Sequence, residues 1–157
     1  RLEKAKELIF SLKEKYNLSF DELKSLLEKI SKEEILLPIS IFNRKLTPLE
    51  SITKYLKEEK NLSLHNISQL IKRNERNLWH VFANSKKKFH YKFLLDKIRF
   101  WIPIEIFSDQ KLSALESLVV YLKEKQNLSY HEIAVLLERN DRTIWTVYSR
   151  ARKKNAK

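Results

Sequence analysis

Apolar side chains in the last fifty residues return every three or four positions, which is the spacing of one face of an α-helix. Three such stripes follow one another: Leu115, Leu118, Val119 and Leu122, then Ile133, Leu136 and Leu137, then Ile144, Val147, Tyr148 and Ala151. Polar and charged residues fill most positions between them. The pattern predicts three consecutive amphipathic helices.

Local signals predict where these helices begin and end. In a capping box, a Ser or Thr hydroxyl and a Glu three residues later satisfy each other's backbone amides. The chain has such boxes at Ser113 with Glu116, at Ser129 with Glu132, and at Thr47 with Glu50. Asn61 and Asn127 are predicted to close the first helix of each copy in the left-handed conformation, because the chain has no glycine for that role.

The whole pattern occurs twice. Residues 45–88, KLTPLESITKYLKEEKNLSLHNISQLIKRNERNLWHVFANSKKK, align without a gap with residues 111–154, KLSALESLVVYLKEKQNLSYHEIAVLLERNDRTIWTVYSRARKK, and about half the positions are identical. A shorter match, SLKEKYNLSFDELKSLLEK at residues 11–29, covers only the first two helices. The sequence therefore predicts an all-α fold of repeated three-helix units. They are a truncated unit at 1–36, complete units at 37–88 and 103–157, and an aromatic and basic linker at 89–102. The segments LLPISIF and WIPIEIF look extended, and short strands or packed loops both fit them.

Composition narrows the function. The chain has 157 residues, a net charge of +12, and no glycine, cysteine or methionine. The lack of glycine excludes phosphate-binding P-loops and dinucleotide-binding motifs, and the lack of cysteine excludes disulfides and zinc fingers. The positive charge favours nucleic acid as the partner and an acidic membrane less, although a solvated Lys/Glu-rich surface would also explain it. Without a spanning apolar run or a signal peptide, we expect a cytoplasmic protein with no membrane partner.

Only two to four residues separate the second and third helices of each complete unit, which exposes one face of the third helix. The second copy resembles the C-terminal (region four) helix-turn-helix of bacterial sigma factors. L-S-x-x-E-I-A at residues 128–134, Thr143 with Ile144, and R-A-R-K-K at residues 150–154 carry the resemblance. It implies binding of double-stranded DNA by the third helix in the major groove. Sigma activity does not follow, because the chain lacks a counterpart of the sigma core-binding regions.

Two departures concern the turn. Lys72 and Glu138 stand where such turns commonly have glycine, and Arg73 and Arg139 replace the usual apolar residue. A non-glycine residue in the left-handed region costs about 1–2 kcal/mol. We therefore expect a turn that is built differently at these positions.

The resemblance assigns groove-facing positions on both third helices. They are Asn140, Arg142, Thr143, Trp145, Thr146 and Ser149 in the second copy, and Asn74, Arg76, Asn77, Trp79, His80 and Ala83 in the first. Arg pairs with guanine, Asn with adenine, and Thr or Trp meets a thymine methyl group. Basic residues nearby are assigned to phosphate: Arg73, Lys86, Lys87, Lys88, Arg139, Arg150, Arg152, Lys153 and Lys154. The alternative is that these are solvated helix faces and ordinary basic tails.

The tryptophans leave two interpretations open. Trp145 directly follows Ile144, so its side chain cannot share the buried stripe. It contacts DNA, or it packs against the neighbouring unit or the aromatic linker.

The charge, the repeat and the resemblance together predict sequence-specific DNA binding in transcription regulation, DNA organisation or replicon maintenance. The alternatives are a helical scaffold joined through its tryptophans and an RNA-binding protein.

No catalytic or cofactor site is predicted. His65 and His131 have no second ligand beside them, so we expect no metal, and no nucleophile, base and oxyanion group occur together.

The N-terminal unit has Ser31, Lys32, Glu33 and Glu34 where the second copy has residues 141–144. It is therefore predicted not to contact DNA and to serve as a cap, a protein partner's interface or a self-association surface.

Because the two complete units repeat head to tail in one chain, we expect them to be related by translation and rotation rather than by a two-fold axis. Two such copies would contact two half-sites in the same orientation. The half-sites would be unequal, because Asn77, His80 and Ala83 in one copy correspond to Thr143, Thr146 and Ser149 in the other.

Overall fold

The computed structural model describes residues 2–31, 34–95 and 98–156 and contains two compact units, Arg1–Glu34 and Ile35–Lys157. The first unit consists of α1 (Leu2–Tyr16) and α2 (Phe20–Ser31). Asn17 ends α1 at φ 49°, and the carboxylate of Glu22 accepts the backbone N–H of Ser19 at 2.8 Å, which caps α2. The described part of this unit thus corresponds to the first two helices of the predicted repeat.

Within Ile35–Lys157 one series of elements occurs twice. The first copy consists of β1 (Leu36–Pro38), a 3₁₀ turn (Ile39–Ile41), α3 (Pro48–Glu58), α4 (Leu64–Ile71) and α5 (Glu75–Lys88). The second consists of β2 (Trp101–Pro103), a 3₁₀ turn (Ile104–Ser108), α6 (Ala114–Glu124), α7 (Tyr130–Leu136) and α8 (Asp141–Asn155). The described residues are mostly helical, and the predicted all-α class is confirmed.

The local signals act as predicted. Each of the three predicted capping boxes forms with both of its hydrogen bonds, and Pro48 occupies the first turn of α3. Asn61 and Asn127 are left-handed at φ 53° and 54°. Their conformation lets the next residue, Leu62 or Leu128, donate its N–H to a carbonyl in the last turn of the preceding helix at 3.1 Å.

The expectation for the turn before α5 and α8 is wrong. Lys72 and Glu138 are both left-handed, at φ 50° and 52°, although neither is glycine. Because of this conformation, Arg73 N–H bonds to Ser68 O at 3.1 Å and Arg139 N–H bonds to Ala134 O at 2.8 Å. These bonds satisfy carbonyls at the ends of α4 and α7 and offset the cost of about 1–2 kcal/mol.

The extended segments before each copy are short strands that pair with each other. β1 and β2 are antiparallel, with Leu37 opposite Ile102, and both of these side chains are fully buried. Backbone N–H groups of Ile39 and Ile104 continue the pairing, donating to Phe100 O and Ile35 O at 2.9 Å. The ladder satisfies strand edges that each copy alone would leave unpaired.

This ladder relates the two copies by a local two-fold axis. In the aligned sequence LPISIF against IPIEIF, Leu37 corresponds to Ile102, so each central residue pairs with its own counterpart. Phe42 and its counterpart Phe107 also meet, with ring centroids 6.0 Å apart. Counterparts meet in this way only around a two-fold axis. The expected relation by translation and rotation is therefore wrong.

The two copies share one hydrophobic core. Buried apolar side chains from both copies belong to a single cluster, and they include Leu37, Ile52, Ile67, Leu78, Ile102, Leu118, Ile133 and Ile144. The predicted stripes face it, with Leu115, Leu136 and Tyr148 partly buried at its margin. The two copies thus form one body. Among the described helices, none is long and apolar enough to span a bilayer.

Candidate nucleic-acid interface

Helices α5 and α8 each have one buried and one exposed face. Leu78 in α5 and its counterpart Ile144 in α8 are fully buried. On the opposite side, at i, i+3 and i+4 spacing, the exposed residues are Arg76, Trp79 and His80 in α5 and Arg142, Trp145 and Thr146 in α8. Ala83 and Ser149 continue this line one turn later and are partly buried. The structure therefore brings the predicted groove-facing residues together in two equivalent stripes, here called the recognition faces.

The predicted base-contacting asparagines are also helix caps. Asn74 Oδ1 accepts the N–H of Asn77 at 3.2 Å, and Asn140 Oδ1 accepts the N–H of Arg142 at 2.8 Å. An asparagine that recognises adenine uses both atoms of its amide. Because capping engages the oxygen, Asn74 and Asn140 position the helices and are weaker candidates for base contacts than Asn77 or Thr143, which are exposed.

The tryptophans of the recognition faces point to solvent. Trp79 is 60% exposed and Trp145 is 55% exposed. The ring of Trp79 meets the edge of the neighbouring His80 ring, with centroids 5.2 Å apart. The interpretation in which these indoles join the two copies is therefore wrong, since the β ladder and the shared core join them. Two large apolar rings remain available for a ligand.

A histidine and a carboxylate pair at the start of each recognition helix. His65 Nδ1 lies 3.1 Å from Glu75, and His131 Nδ1 lies 3.0 Å from Asp141. Both acids are the first residue of their helix, where a carboxylate also interacts favourably with the helix dipole. The pairs tie α4 to α5 and α7 to α8, which gives both histidines a structural role.

Three residues assigned to phosphate form ion pairs with buried carboxylates. Lys88 Nζ donates to both oxygens of Glu50, at 2.8 and 3.0 Å. Arg150 Nε and Lys154 Nζ lie 2.9 and 2.8 Å from the two oxygens of Glu116. Glu50 and Glu116 are themselves the capping-box residues of α3 and α6. The basic ends of α5 and α8 are thus anchored to the first helix of their own copy.

The ionisation of Glu116 follows from these contacts. Burial raises the pKa of its carboxyl, but the hydrogen bond from Lys154, the backbone amide of Ser113 and the charges of Lys154 and Arg150 together lower the pKa below its ordinary value of 4.5. The residue as a whole is only 1% exposed. A buried anion therefore holds two cations that the sequence alone assigned to phosphate.

The other residues assigned to phosphate fall into two groups. Arg73 Nη2 donates to Leu112 O at 2.8 Å, and Arg152 lies 3.4 Å from Glu124. Lys86, Lys87 and Lys153 are exposed and have no ion-pair partner in the described ranges. The side chain of Lys86 lies over the Phe82 ring. These three lysines are the ones best placed for phosphate.

Arg139 lies at a cleft between the two copies that sequence analysis did not find. The cleft is lined by Arg44, Glu138, Arg139, Asn140 and Thr143. Arg44 is exposed, and its backbone N–H donates to Glu138 Oε2 at 3.3 Å. In the sequence Arg44 is only one of two adjacent basic residues shortly before the helix cap Thr47, and its contact with Glu138 depends on how the two copies are placed.

The charge is distributed unequally between the compact units. Residues 1–34 contain eight Lys and Arg and eight Asp and Glu, so the entire surplus of +12 lies in residues 35–157. The first unit instead exposes large apolar side chains, namely Leu8, Phe10, Leu12, Tyr16 and Phe20. The prediction that this unit does not contact DNA depends partly on Lys32 and Glu33, which lie outside the described residues. Attraction for a polyanion is therefore concentrated in Ile35–Lys157.

Potential metal ligands do not cluster in the described ranges, where no group of three His, Asp or Glu side chains comes together.

Comparison with known proteins finds no matching family model, no matching curated protein and no matching solved structure.

Proposed function

We propose that the unit Ile35–Lys157 binds double-stranded DNA and inserts the recognition faces of α5 and α8 into the major groove. The observation that carries the proposal is the duplicated exposed face, with Arg and Trp at the same positions of two helices whose other side is buried. The surplus positive charge of the same unit supports it. Such a protein would act on the nucleoid, in transcription regulation, DNA organisation or replicon maintenance.

Each group on the recognition face has chemistry suited to a base edge. The guanidinium groups of Arg76 and Arg142 match the two acceptors of guanine, O6 and N7. The exposed indoles of Trp79 and Trp145 offer apolar surface to a thymine methyl group or to sugar. Thr143 supplies a hydroxyl group and a methyl group.

Salt dependence separates DNA binding from a scaffold role. The exposed lysines Lys86, Lys87 and Lys153, with one or two further cations, would neutralise about four or five phosphates. Since log K falls by about 0.9 per phosphate, the slope of log K against log salt should be about −3.6 to −4.5. A fluorescence anisotropy titration of a labelled duplex measures this slope. A slope near zero would contradict the proposal and favour a scaffold.

Matched variants separate base contacts from phosphate contacts. Arg142→Ala should weaken binding to the preferred site by about 1–3 kcal/mol and relax discrimination there. Lys153→Ala should weaken binding to all duplexes alike and make the salt slope shallower by about 1. Lys125→Ala is the control, because Lys125 is an exposed lysine at the C-cap of α6 and belongs to neither recognition helix. Equal losses for Arg142→Ala on preferred and random duplexes would refute the groove assignment.

A further inference from the structure

We propose that the DNA target is a pseudo-palindrome, with two half-sites of similar but unequal sequence in opposite orientation. This inference rests on the proposed function and adds the class of site. It follows from the symmetry between the copies, from the contacts that hold their turns, and from the residues that differ between the recognition faces.

The symmetry determines the orientation. Leu37 pairs with its counterpart Ile102, and Phe42 meets its counterpart Phe107, so a two-fold axis passes between the copies. A two-fold rotation reverses the direction of any helix perpendicular to its axis and keeps equivalent surfaces at the same height along it. The two recognition faces therefore lie at the same height along the axis, and the proposal places the DNA across the axis at that height. Proteins with this symmetry contact half-sites in inverted orientation.

Contacts across the axis hold the turns that precede α5 and α8. The N–H of Arg44 donates to Glu138 Oε2 at 3.3 Å, and the side chain of Gln110 donates to Lys72 O, also at 3.3 Å. Arg44 and Gln110 are counterparts, as are Lys72 and Glu138. Each left-handed turn is thus attached to the loop of the other copy that precedes α3 or α6. The start of each recognition helix is oriented by the other copy as well as by its own.

A further bond strengthens this attachment on one side. Arg73 follows the left-handed Lys72, and its guanidinium donates to Leu112 O at 2.8 Å and to Asp109 O at 3.4 Å. Its counterpart Arg139 lines a small cleft together with Phe42 and Asn43 of the first copy. Together with the β ladder and the shared core, these contacts hold the two recognition helices in a fixed orientation relative to each other.

The recognition faces differ in sequence at three of the positions that are assigned to base contacts. Arg76 and Trp79 have identical counterparts, whereas Asn77, His80 and Ala83 correspond to Thr143, Thr146 and Ser149. The shared Arg predicts a shared guanine in both half-sites. The three differing positions predict that the remaining bases are not related by symmetry.

The size of the body limits the distance between the half-sites. A compact unit of about 120 residues has a radius of gyration of about 14 Å and a diameter of about 35 Å. Successive major-groove openings on one side of B-DNA are about 34 Å apart. The half-site centres should therefore lie no more than about 10 base pairs apart.

The orientation of the half-sites is tested by letting the full chain select bound sites from random duplex. Two triple variants provide the decisive comparison. The triple variant Asn77→Thr, His80→Thr, Ala83→Ser gives both helices the recognition residues of α8. Its selected site should become a true palindrome, while the natural chain should select an asymmetric version. The reverse exchange, Thr143→Asn, Thr146→His, Ser149→Ala, should give a palindrome of the other half-site. All six positions are exposed or partly buried, so these exchanges should leave the core intact.

The outcomes are distinguishable. Inverted half-sites support the inference, and direct repeats or one isolated half-site overturn it. Salt-dependent binding without any enriched sequence also overturns it but leaves DNA binding standing. No salt-dependent binding at all defeats the proposed function itself, and with it the inference.

A spacer insertion tests the rigidity on the selected site. Adding 5 base pairs between the half-sites moves one of them to the opposite side of the duplex, since a helical turn is about 10–10.5 base pairs. Affinity should fall by about 100-fold or more, because the contacts of one half-site are lost. Unchanged affinity would overturn the rigid pair.

Discussion

The buried carboxylate of Glu116 offers a direct test of how α8 is held, through the substitution Glu116→Gln. Glutamine also serves in capping boxes, so the start of α6 should persist. What is lost is the negative charge that Arg150 Nε and Lys154 Nζ contact at 2.9 and 2.8 Å.

The expected loss of unfolding free energy depends on how exposed Glu116 and its two cationic partners are. Hydrogen bonds to charged groups contribute about 1.5–3 kcal/mol when buried, and exposed ion pairs about 0.2–1 kcal/mol. The Glu116 side chain is 2% exposed, whereas Lys154 and Arg150 are 42% and 58% exposed, so the free cations can return to water. We therefore expect a loss of about 1–2 kcal/mol in the free energy of unfolding at pH 7.

Urea denaturation followed by tryptophan fluorescence is a suitable assay, because Trp79, Trp101 and Trp145 all lie in Ile35–Lys157. With a slope of about 2 kcal/mol per molar urea, the midpoint should fall by about 0.5–1 M. The control is Glu124→Gln. Its carboxylate is 39% exposed and contacts Arg152 and Tyr148, so its loss should cost less than about 1 kcal/mol.

The pH dependence gives the sharpest criterion. The folded state lowers the pKa of Glu116 below 4.5, so the ionised form stabilises the fold above the unfolded-state pKa. This contribution is lost as the pH falls through the folded-state pKa. The difference between the natural chain and Glu116→Gln should therefore be constant from pH 7 to about 5 and shrink below pH 4.5. A difference that stays constant down to pH 3, or one no larger than that of Glu124→Gln, would refute the reasoning.

Three further predictions concern the turn, the contact between copies and the first unit. Lys72→Gly should raise the free energy of unfolding by about 0.5–1 kcal/mol because Lys72 is left-handed, while Lys72→Ala should not, as urea denaturation can show. Arg73→Ala should lower it by about 1–2 kcal/mol, because the bond to Leu112 O is lost, and should leave the salt slope of DNA binding unchanged; a shallower slope would restore Arg73 as a phosphate contact. Deleting residues 1–34, which carry no net charge, should leave duplex affinity unchanged in an anisotropy titration, and lost binding by a folded remainder would contradict this.

The sequence by itself determined the helices, their caps and the recognition faces. Capping boxes such as Ser113 with Glu116 act over three residues, and the stripe that buries Ile144 while exposing Trp145 depends on helical spacing alone. These signals are local. Any chain segment with this pattern places the same side chains on the same faces, so the structure agrees with them.

The left-handed turns lie between local and tertiary control. The cost of φ 50° at Lys72 and φ 52° at Glu138 is a property of the residues, and it suggested a different turn. The compensation comes from backbone bonds in the folded turn and, for Glu138, from the N–H of Arg44 in the other copy. A residue's own preference could not reveal that second partner.

Only the tertiary structure decided which basic residues are available to a ligand and how the copies are related. Lys154 is as basic as Lys153 in the sequence, but Lys154 binds the buried Glu116, 38 residues away along the chain. The two-fold relation likewise depends on hydrogen bonds between β1 and β2, whose residues are far apart in sequence. Such pairings depend on which distant groups the folded chain brings within reach, and a strand edge bonds to whatever partner edge satisfies its amides. Repetition in the sequence specified two similar modules, and the pairing of their edges set their symmetry.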